Sequence, residues 1–175
     1  MRQGPSLKAR ALQWLAQREQ SRVELHRKLA PHAAAEDAAR REAGEPEPAL
    51  DAPARVEALL DWLEAHRYLS QERFVESRVH ARSARFGNLR IRQELDQHQA
   101  ALSPEAALAL RDSELERARA VYQRKFPNPP ASAGEHAKQS RFLAGRGFSP
   151  ETIRRVLRQA KRPDQDAPHA DAPAD

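Results

Sequence analysis

No cysteine occurs in the 175 residues, so neither a disulfide framework nor a thiolate metal site is available. β-Branched residues are scarce: six valines, two isoleucines and one threonine stand against 33 alanines. Those residue types favour strands, and so small a supply argues against a sheet. Aromatics make up only 5%, which implies a thin Leu- and Ala-rich core suited to stacked helices. No apolar run approaches the ~20 residues that span a bilayer. The N-terminal apolar positions alternate with charges, so they form no signal-peptide core. Catalytic motifs are missing as well, with no P-loop, HExxH, EF-hand loop or Cys/His cluster. The histidines His26, His32, His66, His80, His98, His136 and His169 share no i, i+4 face within one helix. Glu24, Glu64, Glu72, Glu76, Glu94, Glu114, Glu116 and Glu151 read as charges on exposed helix faces, with nothing to raise a pKa for acid catalysis. A non-enzymatic, cytoplasmic, monomeric protein without metal, cofactor or membrane contact is expected.

What remains is rich in Leu, Ala, Glu, Gln and Arg, all good helix formers, and the fold class is all-α. Start signals and the 3.6-residue period place about eight helices. Ser6 opens one running from Leu7 to about Arg18, and Ser21 with Glu24 forms a capping box for the next. Ala54 to His66 forms a third, and Ser70 caps a fourth bearing Phe74 and Val75. A short helix runs from Leu89 to about Gln97, after the Gly87-Asn88 break. Ser103-Pro104-Glu105 opens one long helix through Leu108, Leu115 and Val121. Glu135 to Arg146 and a helix opened by Ser149-Pro150-Glu151 complete the set.

Charge divides the chain unevenly. The formal net charge is +5, from 30 Lys and Arg against 25 Asp and Glu. Residues 163–175 hold four Asp and no Lys or Arg, and their Pro/Asp/Ala composition predicts a disordered tail. The segment from His32 to Asp51 holds six acidic residues against Arg40 and Arg41. It reads as an acidic linker or insertion that can form a short helix from Ala33 to Arg41. Without these two segments 28 basic residues face 15 acidic ones, a charge of +13. Such an excess favours polyanionic or acidic-protein partners.

The cations are periodic. Arg78, Arg82 and Arg85 line one helix face, and Arg90 and Arg92 begin the next helix. Arg117, Arg119, Arg124 and Lys125 close the long helix. Arg141, Arg146, Arg154, Arg155 and Arg158 crowd the last pair. The arginine fork suits phosphate or carboxylate, and phosphate contacts would make binding salt-dependent. DNA, single- or double-stranded, is therefore a candidate partner through its phosphates. Trp14, Leu25, Leu29, Trp62, Phe74, Ile91, Leu95, Phe142, Ile153 and Leu157 are the expected core.

An internal repeat is visible. At an offset of 128, Trp14 falls on Phe142, Leu15 on Leu143, Arg18 on Arg146, Ser21 on Ser149, Leu25 on Ile153 and Leu29 on Leu157. At an offset of 66, Leu25 and Leu29 fall on Ile91 and Leu95, with Gly87 in place of the cap serine. Helical units of this kind bury a face only by stacking on their neighbours. Helix-corner-helix units also allow a helix-turn-helix DNA-binding regulator, with Arg22, His26, Arg27, Arg154 and Arg155 at the reading ends. A helical scaffold is the third reading.

Three blocks carry a family likeness: SLKARALQWLAQREQSRVELHRKLA, LLDWLEAHRYLSQERFVESRVHARSARFGNLRIRQEL and RFLAGRGFSPETIRRVL. The middle one is the most specific, with Tyr68, Leu69, Arg73-Phe74, Ser77, Arg78, Arg82, Gly87, Arg90-Ile91 and Glu94-Leu95. Together they resemble the RecX family, regulatory proteins of the bacterial recombinase RecA. That resemblance implies tandem three-helix repeats in an elongated curved array. It also implies binding in the groove of the recombinase–DNA filament, restraining its growth, ATP hydrolysis, strand exchange and co-protease activity. By position, Arg18, Arg22, Arg78, Arg82, Arg90, Arg92, Arg141 and Arg146 become candidates for filament contact.

The departures are specific. Arg67 and Gln99 stand where the family usually has a helix-ending glycine, so those corners are expected to change geometry. Gln71 stands where an acidic residue is usual. The expected organisation is a first repeat over 1–66 with an acidic insertion at 32–52, and a second over 67–126. A Pro-rich linker at 127–134, a partial, truncated third repeat over 135–162 and the tail at 163–175 follow.

Overall fold

The structure, a computed structural model, describes residues 4–161, so the acidic tail expected to be disordered lies outside the described residues. Nine helices occur among them: α1 (Leu7–Gln17), α2 (Arg22–Glu42), α3 (Ala52–Ala65), α4 (Gln71–Ser83), α5 (Asn88–Asp96), α6 (Pro104–Asp112), α7 (Glu114–Lys125), α8 (Ala133–Gly145) and α9 (Pro150–Ala160). The described residues contain no strand. None of their helices is long and apolar enough to cross a membrane. The fold is all-α and built of repeating three-helix groups.

Short polar side chains start most of these helices by satisfying an otherwise unpaired N–H. Ser6, Ser21, Ser103, Ser132 and Ser149 each accept through Oγ from the backbone N–H three residues on. Asp51 does the same for α3 and Ser70 for α4. Because Asp51 caps α3, that helix begins at Ala52, two residues before the expected Ala54.

Two expectations are corrected by tertiary contacts. The acidic segment after His32 is not a linker at its start, because α2 continues through Pro31 to Glu42. An interior proline costs ~3 kcal/mol. Here Leu29 and Ala33 on either side of it are fully buried. Arg55 of α3 also donates to the Ala33 carbonyl at 3.0 Å and pairs with Asp37 at 2.7 Å. The second correction concerns the long helix, which divides at Ser113 into α6 and α7. Ser113 Oγ donates back toward the carbonyls of Ala109 (2.9 Å) and Leu110 (3.2 Å). The Leu110 carbonyl also receives Arg117 Nη2 at 2.9 Å. With that turn's carbonyls so engaged, α7 starts anew and stands with α8 and α9 as a third group of three. The expected truncation of the third repeat to two helices is corrected accordingly.

The described residues form two compact units, 4–80 with 94–101 (unit 1) and 81–93 with 102–161 (unit 2). Unit 1 buries Ala11, Leu25, Leu29, Ala33, Val56, Leu60, Leu63 and Leu69, with Trp14 and Trp62 packed partly buried against them. Unit 2 buries Ala118, Val121, Tyr122, Leu143, Phe148, Ile153, Val156 and Leu157, with Phe142 and Phe126 alongside. Phe74, Ile91 and Leu95 are buried too. The repeat-related pairs Leu25/Leu29, Ile91/Leu95 and Ile153/Leu157 thus all lie in the core.

The corners at Arg67 and Gln99 keep the left-handed geometry, with φ of 60° and 51°. The expectation of a changed corner is corrected. At each, the next residue's N–H reaches the carbonyl five residues back, Tyr68 to Leu63 at 2.9 Å and Ala100 to Leu95 at 3.0 Å. That is the hydrogen-bond pattern of a Schellman helix end. Gln71 Nε2 donates to the Gln99 carbonyl at 2.8 Å, a bond that a carboxylate at position 71 could not donate. A left-handed non-glycine costs ~1–2 kcal/mol, and glycine's extra chain entropy returns ~0.5–1 kcal/mol of that. Arg67→Gly is therefore expected to stabilise unit 1 by about 0.5–1 kcal/mol. The shift should be read as a higher urea midpoint by the fluorescence of Trp14 and Trp62. A lower midpoint would show that the Arg67 side chain itself holds the corner.

His98 joins unit 1 at the same corner. Its Nδ1 lies 2.9 Å from Ser21 Oγ, and its ring lies 5.0 Å from that of Phe74. Burial, then the nearby Arg78, Arg27 and Arg18, lowers its pKa, while Glu24 opposes the shift. The unfolded chain therefore takes up this proton first as pH falls, so the neutral ring's contribution is complete above ~6.5 and declines below it. The urea midpoint of unit 1 should fall more between pH 7.5 and 5.5 in the wild type than in His98→Gln. Parallel declines would remove His98 from that dependence.

Candidate anion-binding surface

Five cations of unit 1, Arg18, Arg22, Lys28, Arg55 and Arg73, are paired with carboxylates of the same unit. Arg18 pairs with Glu24, which also lies 3.3 Å from Lys28 Nζ. Glu24 is not the exposed charge expected, being only 6% exposed. Burial resists its ionisation, but the bonds from Arg18 and Lys28 prevail and lower its pKa. Arg22 reaches Glu57 (2.5 Å), Asp61 (2.7 Å) and Glu64 (2.8 Å) along α3. Burial would lower its pKa, yet these carboxylates raise it. Arg55 pairs with Asp37, and Arg73 pairs with Glu19 at 2.7 Å. Arg78 lies 5.2 Å from the Phe74 ring.

Unit 2 is arranged differently. The corner between α4 and α5 meets the corner between α8 and α9 backbone to backbone. Gly87 N–H donates to the Arg146 carbonyl at 2.9 Å, and Leu89 N–H to the Gly147 carbonyl at 3.0 Å. A Cβ at Gly87 would sit 2.3 Å from the Gly147 oxygen, and one at Gly147 (φ +80°) would sit 2.7 Å from the Arg90 nitrogen. Only glycine allows this approach. It brings Arg82, Arg85, Arg90 and Arg146 to 5.1–5.7 Å from the centroid of the half-buried Phe86 ring. Such guanidinium–ring contacts are worth ~0.5–1 kcal/mol each at exposed sites.

Beside this cluster a cavity of about 290 Å³ is lined by Arg85, Val121, Arg124, Lys125, Phe142 and Arg146. Arg124 is held by the carbonyls of Ala84 (2.8 Å) and Ala120 (3.1 Å), and Arg146 by that of Arg85 (3.3 Å). Among the described residues no carboxylate forms an ion pair with Arg85, Arg124, Lys125 or Arg146. Their positive charge is therefore available to an incoming anion, unlike that of Arg18 and Arg22. Arg92, Arg141, Arg154, Arg155 and Arg158 are exposed, the last three on the outer face of α9, opposite buried Thr152, Ile153, Val156 and Leu157.

The framework beneath the cluster rests on two residues whose roles the sequence pattern did not suggest. Glu114, expected as an exposed charge, is only 5% exposed. Its Oε1 accepts from Asn88 N–H at 2.9 Å, and its Oε2 accepts from the hydroxyls of Ser149 and Thr152 at 2.8 Å. One carboxylate thereby ties the first turns of α5 and α9 to the start of α7. Arg117, one turn on, donates to the carbonyls of Ser83 (3.2 Å) and Phe86 (2.8 Å) and to Asn88 Oδ1 (2.5 Å). Burial lowers its pKa, opposed by Glu114. Ser113 followed by Glu116 has capping-box spacing, the one local signal for a helix start here. The described residues contain no group of three or more His, Asp or Glu placed to hold a metal ion.

Comparisons agree with this architecture. A family model described as the third three-helix domain of RecX matches residues 112–157, which hold α7, α8 and most of α9. The chain is 47% identical over 162 residues to the regulatory protein RecX of Ralstonia nicotianae, covering 91% of each chain. The chain belongs to the RecX family. The RecX-family regulatory protein of Leptothrix cholodnii is 50% identical over 162 residues, covering 89% of each chain. The crystal structure of RecX from Lactobacillus salivarius shares the fold, with a TM-score of 0.60 and 14% identity over 89% of this chain and 94% of that one.

Proposed function

We propose that this RecX-family chain is a non-enzymatic regulator of the bacterial recombinase RecA. It binds the recombinase–DNA filament and restrains filament extension, ATP hydrolysis, strand exchange and co-protease activity. Near-full-length similarity to relatives named regulatory proteins supports the regulatory role. The observation that carries the mode of action is the set Arg85, Arg124, Lys125 and Arg146, which lines one cavity of unit 2 and has no carboxylate partner among the described residues. A filament presents acidic protein surfaces and phosphates, both of which such a cluster attracts. The cationic faces at Arg92, Arg141, Arg154, Arg155 and Arg158 add contacts, and several weak contacts on one particle strengthen each other by raising effective concentration. Arg18 and Arg22 serve instead as internal struts of unit 1. The protein acts as a cytoplasmic monomer.

The test is ATP hydrolysis by purified recombinase on single-stranded DNA with increasing amounts of this chain. Hydrolysis should fall at substoichiometric chain. Unchanged hydrolysis up to equimolar chain overturns the reading. Sequence-specific retention of duplex DNA without recombinase would instead favour the helix-turn-helix alternative.

A further inference from the structure

We propose that the cation-lined cavity of unit 2 is a phosphate-binding site. It takes one phosphate group whose adjoining ring lies against Phe142 and Val121. The inference deepens the reading above and rests on unit 2 being the anion-facing part of the chain.

Three observations carry it. Arg85, Arg124, Lys125 and Arg146 surround a single cavity of about 290 Å³. That volume is close to the lower end of small-molecule sites, ~300 Å³, and suits one nucleotide-sized group better than a folded peptide. Second, Arg124 and Arg146 are anchored by carbonyls rather than by carboxylates, so these two are oriented without being neutralised. Third, the charge is crowded. Arg85 and Arg146, each 5.7 Å from the Phe86 centroid, lie within about 11 Å of each other, roughly the Debye length at 0.1 M salt. Lone cations so close repel one another at low ionic strength, and an anion of high charge density relieves that repulsion. A carboxylate offers one charge and two oxygens. A phosphate offers up to two charges and more acceptor oxygens, which matches several donors converging on one space. Val121 and Phe142 supply an apolar wall on which a base can rest.

The phosphate has two possible sources, a nucleic-acid strand or a free nucleotide, and the experiment separates them. Full-length chain is titrated with a fluorescent deoxythymidylate 20-mer, then competed with thymidine 5′-monophosphate or with thymidine. Binding of the 20-mer should weaken at least tenfold in Arg85→Glu/Lys125→Glu, whose wild-type side chains hold no other part of unit 2 by a hydrogen bond. The charge-matched Arg40→Glu/Arg41→Glu, on the exposed end of α2, should weaken it less than threefold. Competition by the monophosphate but not by thymidine identifies a free-nucleotide site. Competition by neither, with 20-mer binding retained, identifies a strand site. Equal weakening in both double variants, or no binding of either phosphate ligand by the wild type, overturns the proposal. Recombinase ATPase measured on the same samples keeps the two readings apart. Inhibition without phosphate binding leaves the regulator standing and removes the site, whereas phosphate binding without inhibition does the reverse.

Discussion

Gly87→Ala should unfold unit 2 or leave it without its cationic cluster. The added methyl would sit 2.3 Å from both the Gly147 oxygen and the Phe148 nitrogen. Those are backbone atoms, so no rotamer change makes room. The two corners must separate, and the hydrogen bonds from Gly87 to Arg146 and from Leu89 to Gly147 go with them. Overpacking costs about 1–3 kcal/mol where side chains can yield, and the N–H of buried Gly87 left unpaired adds ~1–3 kcal/mol. A loss of about 3 kcal/mol or more is expected. Hydrogen exchange should show it as lost protection in α5 and α9. Gly145→Ala is the control, because a Cβ there meets nothing within 4 Å and alanine favours a helix by up to ~1 kcal/mol. Equal protection in Gly87→Ala and the wild type would mean that the corners do not meet.

Glu114→Ala is the second substitution expected to cost about 3 kcal/mol or more. It leaves the buried Asn88 N–H and the hydroxyls of Ser149 and Thr152 without their acceptor, and it removes most of a side chain that is only 5% exposed. Glu114→Gln retains one acceptor oxygen for Asn88 while facing the hydroxyls with an amide, so its cost should be smaller, about 1 kcal/mol. The ordering Ala worse than Gln, read from urea denaturation followed by far-UV circular dichroism, distinguishes a buried acceptor from a surface charge. If both variants match the wild type, Glu114 is the exposed charge that its sequence context suggested.

Much of this molecule is legible locally. A serine cap announces α2, a serine cap followed by proline announces α6 and α9, and the apolar pairs at 25/29, 91/95 and 153/157 expose the repeat. Where reading by local pattern fails, a distant group decides. The segment after His32 reads as a linker or insertion, yet burial of Leu29 and Ala33 and the reach of Arg55 carry α2 through Pro31 and into it. Ser113 looks like a mid-helix residue until Arg117 claims the Leu110 carbonyl. Spacing puts arginines on a face but says nothing of who waits opposite. Arg22 meets Glu57, Asp61 and Glu64, themselves spaced by four and three along α3, whereas Arg124 meets only carbonyls. Whether a cation is spent or available is therefore a tertiary property, and it separates Arg18 and Arg22, which are paired with carboxylates, from Arg85, Arg124, Lys125 and Arg146, which are not.

The most direct measurement is recombinase ATP hydrolysis on single-stranded DNA with wild-type chain, Arg85→Glu/Lys125→Glu and Arg40→Glu/Arg41→Glu compared at equal concentration. All three should keep the same helical circular dichroism. Wild type and Arg40→Glu/Arg41→Glu should inhibit alike, while Arg85→Glu/Lys125→Glu should need at least tenfold more protein for the same effect. Equal inhibition by all three would contradict the assignment of regulation to the unpaired cations of unit 2.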